Sequence, residues 1–200
     1  MVQNSDEPRR GRGRPRSFEP NEVLKAASER FRTHGYAGTS LDDLVDATGL
    51  QRPSLYAAFG DKRAIYLATL DRTIERSIRG FDNLIAAGLP LRASLVQMFR
   101  TIIDGYMTGE TGPSGCIMVS TSSTSAVDDA EVRERLAAFL KLEDDKIEQL
   151  LSLRGDALAR AHARLATAVI HSLSVRARAG ASRAELDEMA ADCVAMITAA

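Results

Sequence analysis

Tryptophan is absent from this 200-residue chain, and cysteine occurs only twice, at Cys116 and Cys193. Two cysteines are too few and too far apart for a disulfide framework, and no stretch resembles a secretion signal. No apolar run approaches the roughly 18 to 20 residues needed to span a bilayer. These absences describe a soluble, cytoplasmic protein. Neither sign of charge prevails: 26 Lys and Arg stand against 27 Asp and Glu, a net charge of -1. That balance excludes a protein that coats nucleic acid over its whole surface.

Catalytic patterns are missing as well. Cys-x-x-Cys, Gly-x-Ser-x-Gly and a phosphate-cradling glycine loop do not occur. His162 and His171 stand nine apart in one helical stretch, so at 100° per residue they point to opposite faces and share no ligand. His34 lies at the end of a different helix, and Asp144 with Asp145 reads as a solvated face. The chain is not read as an enzyme, and no catalytic residue, metal or cofactor is expected. Alternating strand patterns and internal repeats are lacking too.

What is present is charge of one sign gathered at one end, followed by helical periodicity. Residues 1–16 are polar and rich in Pro, Gly and Arg, and bury too little apolar surface to fold alone. Within them Arg12-Gly13-Arg14-Pro15-Arg16 resembles an AT-hook. Glycine lets the backbone approach the minor-groove floor, proline keeps it extended, and Arg12, Arg14 and Arg16 seek the narrow groove's negative potential. The remainder reads as about nine helices and an all-α fold. A helix over 19–34 closes at Gly35, and another from Lys62 to about Ile85 follows an Asp61 cap. Further helices are expected over 91–107, 116–126, 130–153, 157–179 and 182–200, the Ser- and Thr-rich second of these having the weakest pattern. The division is a basic arm over 1–16, a DNA-binding domain over 17–62 and a larger helical domain over 63–200.

The stretch from Ser40 to Lys62 organises the chain. Ser40 and Asp43 have the spacing of a capping box, and Leu41, Leu44, Val45 and Thr48 form one apolar edge. Gly49 stops that helix. A second short helix begins at Gln51, with Pro53 tolerated in its first turn and Leu55 and Phe59 on its inner face. Two short helices joined by a glycine-bearing turn form a helix-turn-helix. The start of its second helix meets base edges, which points to Gln51, Arg52 and Ser54. Arg grips guanine and Gln grips adenine in bidentate fashion, while Pro53, Ala57 and Ala58 offer apolar contact. Thr39 and Ser40 are placed for phosphate.

The line Phe31, Gly35-Tyr36, Thr39-Ser40, Leu44, Gly49-Leu50, Ser54-Leu55-Tyr56, Phe59 and Lys62 resembles the amino-terminal domain of TetR (tetracycline repressor) family regulators. The resemblance implies a transcriptional repressor that binds a palindromic operator as a homodimer. It adds Tyr56 and Lys62 as phosphate contacts. Larger polar residues are common in the family where Ala57 and Ala58 stand, which shifts weight to the arm and to DNA shape. By the same resemblance the last two helices form the dimer interface, with Leu186, Met189, Cys193 and Ile197 at or near it, although their period alone equally allows both stripes to serve the protomer's own core. The central helices enclose an effector cavity whose candidate lining is Met98, Ile102, Tyr106, Met118, Ser122, Phe139 and His171. That mix carries no obvious charge and implies an uncharged or weakly polar organic effector. A second reading stays open, in which a partner protein or modification of a thiol such as Cys116 exerts control without a small-molecule pocket.

Overall fold

The computed structural model describes residues 18–199, so the arm and its Arg12, Arg14 and Arg16 lie outside the described residues. Within them the chain is all-helical. α1 (Pro20–His34), α2 (Leu41–Thr48) and α3 (Arg52–Phe59) lead into the long α4 (Lys62–Ala86) and α5 (Leu91–Tyr106). A π-helical turn at Met118–Ser122 runs into the short α6 (Ser123–Ser125), then α7 (Ala130–Ser152), α8 (Ala159–Arg178) and α9 (Arg183–Thr198).

Local chemistry sets these boundaries. The Ser40 hydroxyl accepts from the Asp43 N–H while the Asp43 carboxylate takes the Ser40 N–H, a complete capping box at α2. Gly49 follows at φ 66°, the left-handed conformation that lets the chain turn within three residues into α3. Ser182 and Glu185 form a second box at α9, and Asp129 caps α7. α8 begins two residues later than its pattern suggests. The Asp156 carboxylate takes the Leu158 N–H at 2.8 Å and His162 at 2.7 Å, and holds that turn apart. The Ser- and Thr-rich stretch is helical but not regular. Thr121 and Ser123 donate their hydroxyls to the carbonyls of Ile117 and Val119, a competition that loosens the α-helical ladder there.

Two apolar clusters fill the molecule. The first joins Val23, Ala27 and Phe31 of α1 to Leu44 and Leu55, then continues into Ile65 and Leu70 of α4 and into Met118, Val132 and Phe139. The core therefore does not divide at residue 62. Tyr66 lies at its centre, edge-on to Phe31 at 5.0 Å, with its hydroxyl 2.7 Å from Thr121 Oγ1 and 3.3 Å from Ser122 Oγ. The second cluster packs the end of α4 and the faces of α5, α7, α8 and α9. α9 lies against α5 and α8, with Leu186, Cys193 and Ile197 buried and Met189 half-buried against that core. Of the two roles open to this stripe, it serves the protomer's own packing, since the apolar face of α9 is covered by the bundle it closes.

Candidate nucleic-acid interface and regulatory cavity

The helix-turn-helix presents its second helix outward. Leu55 is fully buried and fixes α3 on the core, Phe59 is half-buried beside Phe18, and Gln51, Arg52, Pro53, Ser54 and Tyr56 are exposed. Tyr56, 46% exposed, is a surface ring and not core. Gln51 is the N-cap of α3 and not its first helical residue, and its side chain makes no cap bond, leaving the amide free to reach outward. Arg52 is different. Its guanidinium is ion-paired to Asp42 of α2, which raises the Arg52 pKa and aligns the two helices. Any base contact by Arg52 must share or displace that carboxylate.

Two expected phosphate contacts have other duties. Thr39 is only 1% exposed and donates its hydroxyl to Gly35 O at 2.8 Å, so its side chain is withdrawn from the surface. The reason is that a threonine methyl and a satisfied hydroxyl pack well under a tight connection. Lys62 donates to the carbonyls of Tyr36 at 2.8 Å and Thr39 at 2.7 Å, and its ammonium lies 4.3 Å from the Tyr36 ring centroid. It pins the α1–α2 connection to the start of α4. Ser40 is exposed, although its hydroxyl is held by Asp43 at 2.6 Å.

A cavity of about 460 Å³, open to solvent on one side, lies between α1, α4, α5 and α7. Met98, Ile102, Tyr106 and Phe139 line it as expected, together with Phe81 and Leu84. Three expected residues do not. Met118 is fully buried in the first cluster, and Ser122 is buried beside Tyr66. His171 stands behind the wall, bonded at 2.7 Å to Glu143, which itself faces the cavity. The offset arises because the π-helical turn rotates the Met118–Ser122 side chains toward α4's first half and away from the cavity.

The cavity is also charged, contrary to the expected lining. Glu29 and Arg32 of α1 and Arg72 and Arg76 of α4 border it. Arg32 is paired with Glu29 at 2.7 Å and reaches across to the carbonyls of Gly105 at 3.1 Å, Thr108 at 2.6 Å and Gly115 at 3.3 Å. Arg178 of α8 closes the same joint by donating to the carbonyls of Arg32 and Thr33. The end of α1 is thereby fastened to the regulatory half, so α4 is not the sole connection between the two. The sequence signal was available in Arg72 and Arg76, one turn apart on α4, but an apolar-stripe reading passes over them. Burial raises the Glu143 carboxyl pKa, opposed by His171. Cys116 lies on the same wall, where burial and then Glu143 push its thiol up to about 11.

Comparison with known proteins agrees with this geometry. Residues 23–69 match the model described as bacterial regulatory proteins, tetR family. The HTH-type transcriptional repressor ComR of Escherichia coli (strain K12) is 30% identical over 190 residues, spanning 91% of this chain and 90% of its own. BdcR, an HTH-type transcriptional repressor of the same strain, is 25% identical over 179 residues, spanning 90% and 89%. Among solved structures, a cysteine mutant of the TetR family regulator CifR complexed with 26-base-pair operator DNA superposes with a TM-score of 0.69. It is 26% identical, over 90% of this chain and 98% of that one. A TetR regulator from Legionella pneumophila shares the fold at a TM-score of 0.78 with 14% identity, over 90% of this chain and 97% of that one.

Proposed function

The chain belongs to the tetR family of bacterial regulatory proteins and is a DNA-binding transcriptional regulator, and from that premise we propose that it is a repressor released from its operator by a small organic effector. The observation that carries this reading is the place of the cavity. Its walls come from α1, α4 and Phe139 of α7, which share the DNA-binding core, and from α5, which packs in the other cluster. A volume of about 460 Å³ lies within the range of small-molecule sites. A ligand wedged there presses on the two helices that carry α2 and α3. Induction needs differential affinity, since a ligand that binds both states equally shifts nothing.

A repressor of this kind reads a palindrome as a homodimer. With the α9 stripe consumed internally, the surface for the second copy is a different one. Leu158, just ahead of α8, and Leu165, Ala168, Ser172 and Val175 along it recur at spacings of seven, three, four and three residues on one side. Val175 is 57% exposed, and Met196 of the neighbouring α9 is 63% exposed. Buried against a twin, that stripe forms the seam that sets two α3 helices on successive turns of one DNA face. In this reading Gln51, Arg52, Pro53, Ser54 and Tyr56 meet the DNA, and the Lys62 ammonium has one proton left for phosphate. The basic arm enters the minor groove.

Control through a thiol is the second reading, favoured by Cys116 lying on the cavity wall. A thiol with a pKa of about 11 is almost wholly protonated at neutral pH, which weighs against a reactive sensor. One experiment addresses both. Operator release is followed by fluorescence anisotropy in the parent, in Gly80→Leu and in Cys116→Ser. Gly80 lines the cavity with open space beside its α-carbon. Gly80→Leu is expected to keep operator affinity and lose induction, and Cys116→Ser to behave as the parent. Normal induction in Gly80→Leu, or its loss in Cys116→Ser alone, would overturn the cavity reading.

A further inference from the structure

The charges around the cavity do not balance, and the imbalance is specific. Each acid on its wall already has a partner: Glu29 is paired with Arg32 at 2.7 Å, and Glu143 with His171 at 2.7 Å. Glu22, the other carboxylate near Arg72, lies 3.8 Å from Lys25. Arg79, the next arginine along α4, has Glu75 at 3.6 Å. Arg72 and Arg76 have no side-chain hydrogen bond or ion pair with any described residue, yet both line the cavity. They stand four apart on α4 and therefore one above the other on a single face. Arg72 is half-buried, and its proton affinity is lowered by burial and by the neighbouring Arg76. Two like charges held together, one of them partly desolvated, oppose folding unless something of opposite charge joins them. Beyond them the wall turns apolar, through Phe81, Leu84, Met98 and Ile102.

From this juxtaposition we propose that the cavity takes an amphipathic organic anion, its carboxylate or comparable acidic head on Arg72 and Arg76 and its apolar body against Phe81, Leu84, Met98 and Ile102. The proposal rests on the effector reading above and names the chemical class of the effector. A planar guanidinium offers paired N–H donors that match a carboxylate, and two of them one turn apart accept either of its oxygens. An uncharged ligand leaves both arginines as they are, and a cation adds a third like charge. The site therefore selects for sign, where a purely apolar cavity selects only for size.

The test uses matched pairs that differ only in charge: octanoate with octanamide, and 4-phenylbutyrate with 4-phenylbutyramide. Each is titrated by calorimetry into the full-length protein and into Arg72→Gln, Arg76→Gln and the double variant. Both carboxylates are expected to bind at least about tenfold more tightly than their amides, as one charge-assisted hydrogen bond contributes. The double variant should bring acid and amide to equal affinity while operator affinity without ligand stays unchanged. Acid and amide binding equally to the parent protein would overturn the anion assignment and leave the cavity as an effector site. Binding of no probe, with Gly80→Leu still inducible by a genuine effector, would overturn the cavity reading itself. Loss of acid binding in a variant whose thermal unfolding midpoint has also collapsed is resolved by Arg72→Lys. That variant keeps the charge and should retain acid over amide at reduced affinity; equal binding of the two by Arg72→Lys overturns the anion assignment.

Discussion

The exposed face of α3 and the cleft between α1, α4, α5 and α7 differ in how their charge is balanced. On α3 one arginine is exposed and already paired with Asp42, among Ser54, Ala57 and Tyr56. Around the cavity stand three arginines, two of them with no side-chain hydrogen bond or ion pair among the described residues. Reading from sequence already found few reading groups on α3 and expected no buried charge in the cavity lining. Unbalanced positive charge is gathered at the cavity, while α3 stays sparse. Sparse readout on α3 means that orientation of the helix matters more than its side-chain count. The devices that orient it, Leu55 beneath and the Arg32 joint behind, should then have larger effects than the exposed residues.

The largest effect is expected from Leu55→Ala. Leu55 is fully buried in the cluster that runs from α1 through α4 to Phe139, and such truncations cost about 2 to 5 kcal/mol. Because that cluster crosses residue 62, the loss should appear as a shift of one cooperative denaturant transition for the whole protein, with operator binding abolished. Two separable transitions, the first affecting only α1–α3, would mean that the halves fold independently and that the comparison is one between two domains.

Arg32→Ala comes next. Its guanidinium serves Glu29 and three carbonyls at the end of α5 and in the following loop, and removing it strands those acceptors in a partly buried joint. A cost of about 3 kcal/mol is expected, the scale of one or two charge-assisted bonds. The more telling readout is coupling: with only Arg178 left to hold the end of α1, effector should still bind but release the operator less completely. Full release by saturating effector would mean that the Arg32 side chain carries none of the coupling.

The fold was legible because its signals are local. Capping at Ser40 and Ser182, the glycine turn at Gly49 and the period of Leu, Ile and Phe each act within one or two turns, and each appears where its pattern stands. The π-helical turn at Met118–Ser122 was not legible, since hydroxyl-to-carbonyl bonds compete there with a ladder of similar strength. That single rotation removed Met118 and Ser122 from the cavity lining. The α9 stripe was legible as apolar but left two partners open, because periodicity shows that a face is covered and not by what. Lys62 and Thr39 were legible as important but not as packing residues, since their partners are carbonyls 23 and 4 residues away. Arg72 and Arg76 were missed because an unpaired charge is recognisable only once every neighbouring acid has been located.

The smallest effect concerns how α4 is fastened to α7 on the far side of the cavity, and its sign follows from one carboxylate. Asp129 accepts from Arg63 at 2.7 and 2.9 Å and caps α7, and the Arg63 hydrogen bonds hold its pKa down to about 2. A carboxylate whose folded pKa lies below its ordinary value contributes stability that is complete above that ordinary value and is lost as pH falls through the folded one. For Asp129 the contribution is therefore present above about pH 4 and disappears toward pH 2. Glu143, raised by burial, works in the opposite direction and favours the fold on the acid side. Asn caps helices about as well as Asp, so Asp129→Asn removes the ion pair and spares the cap. Urea midpoints of parent and variant, measured between pH 5 and pH 2, should differ at the upper end and converge at the lower. Glu131, which shares the Arg63 guanidinium at 2.9 Å, is the one other carboxylate expected to respond, so the comparison is repeated in a Glu131→Gln background. A gap that stays constant across that range in that background would mean that the Arg63–Asp129 pair contributes nothing that titrates, leaving the α4–α7 contact to packing and to the Arg135–Asp71 and Lys146–Asp82 pairs.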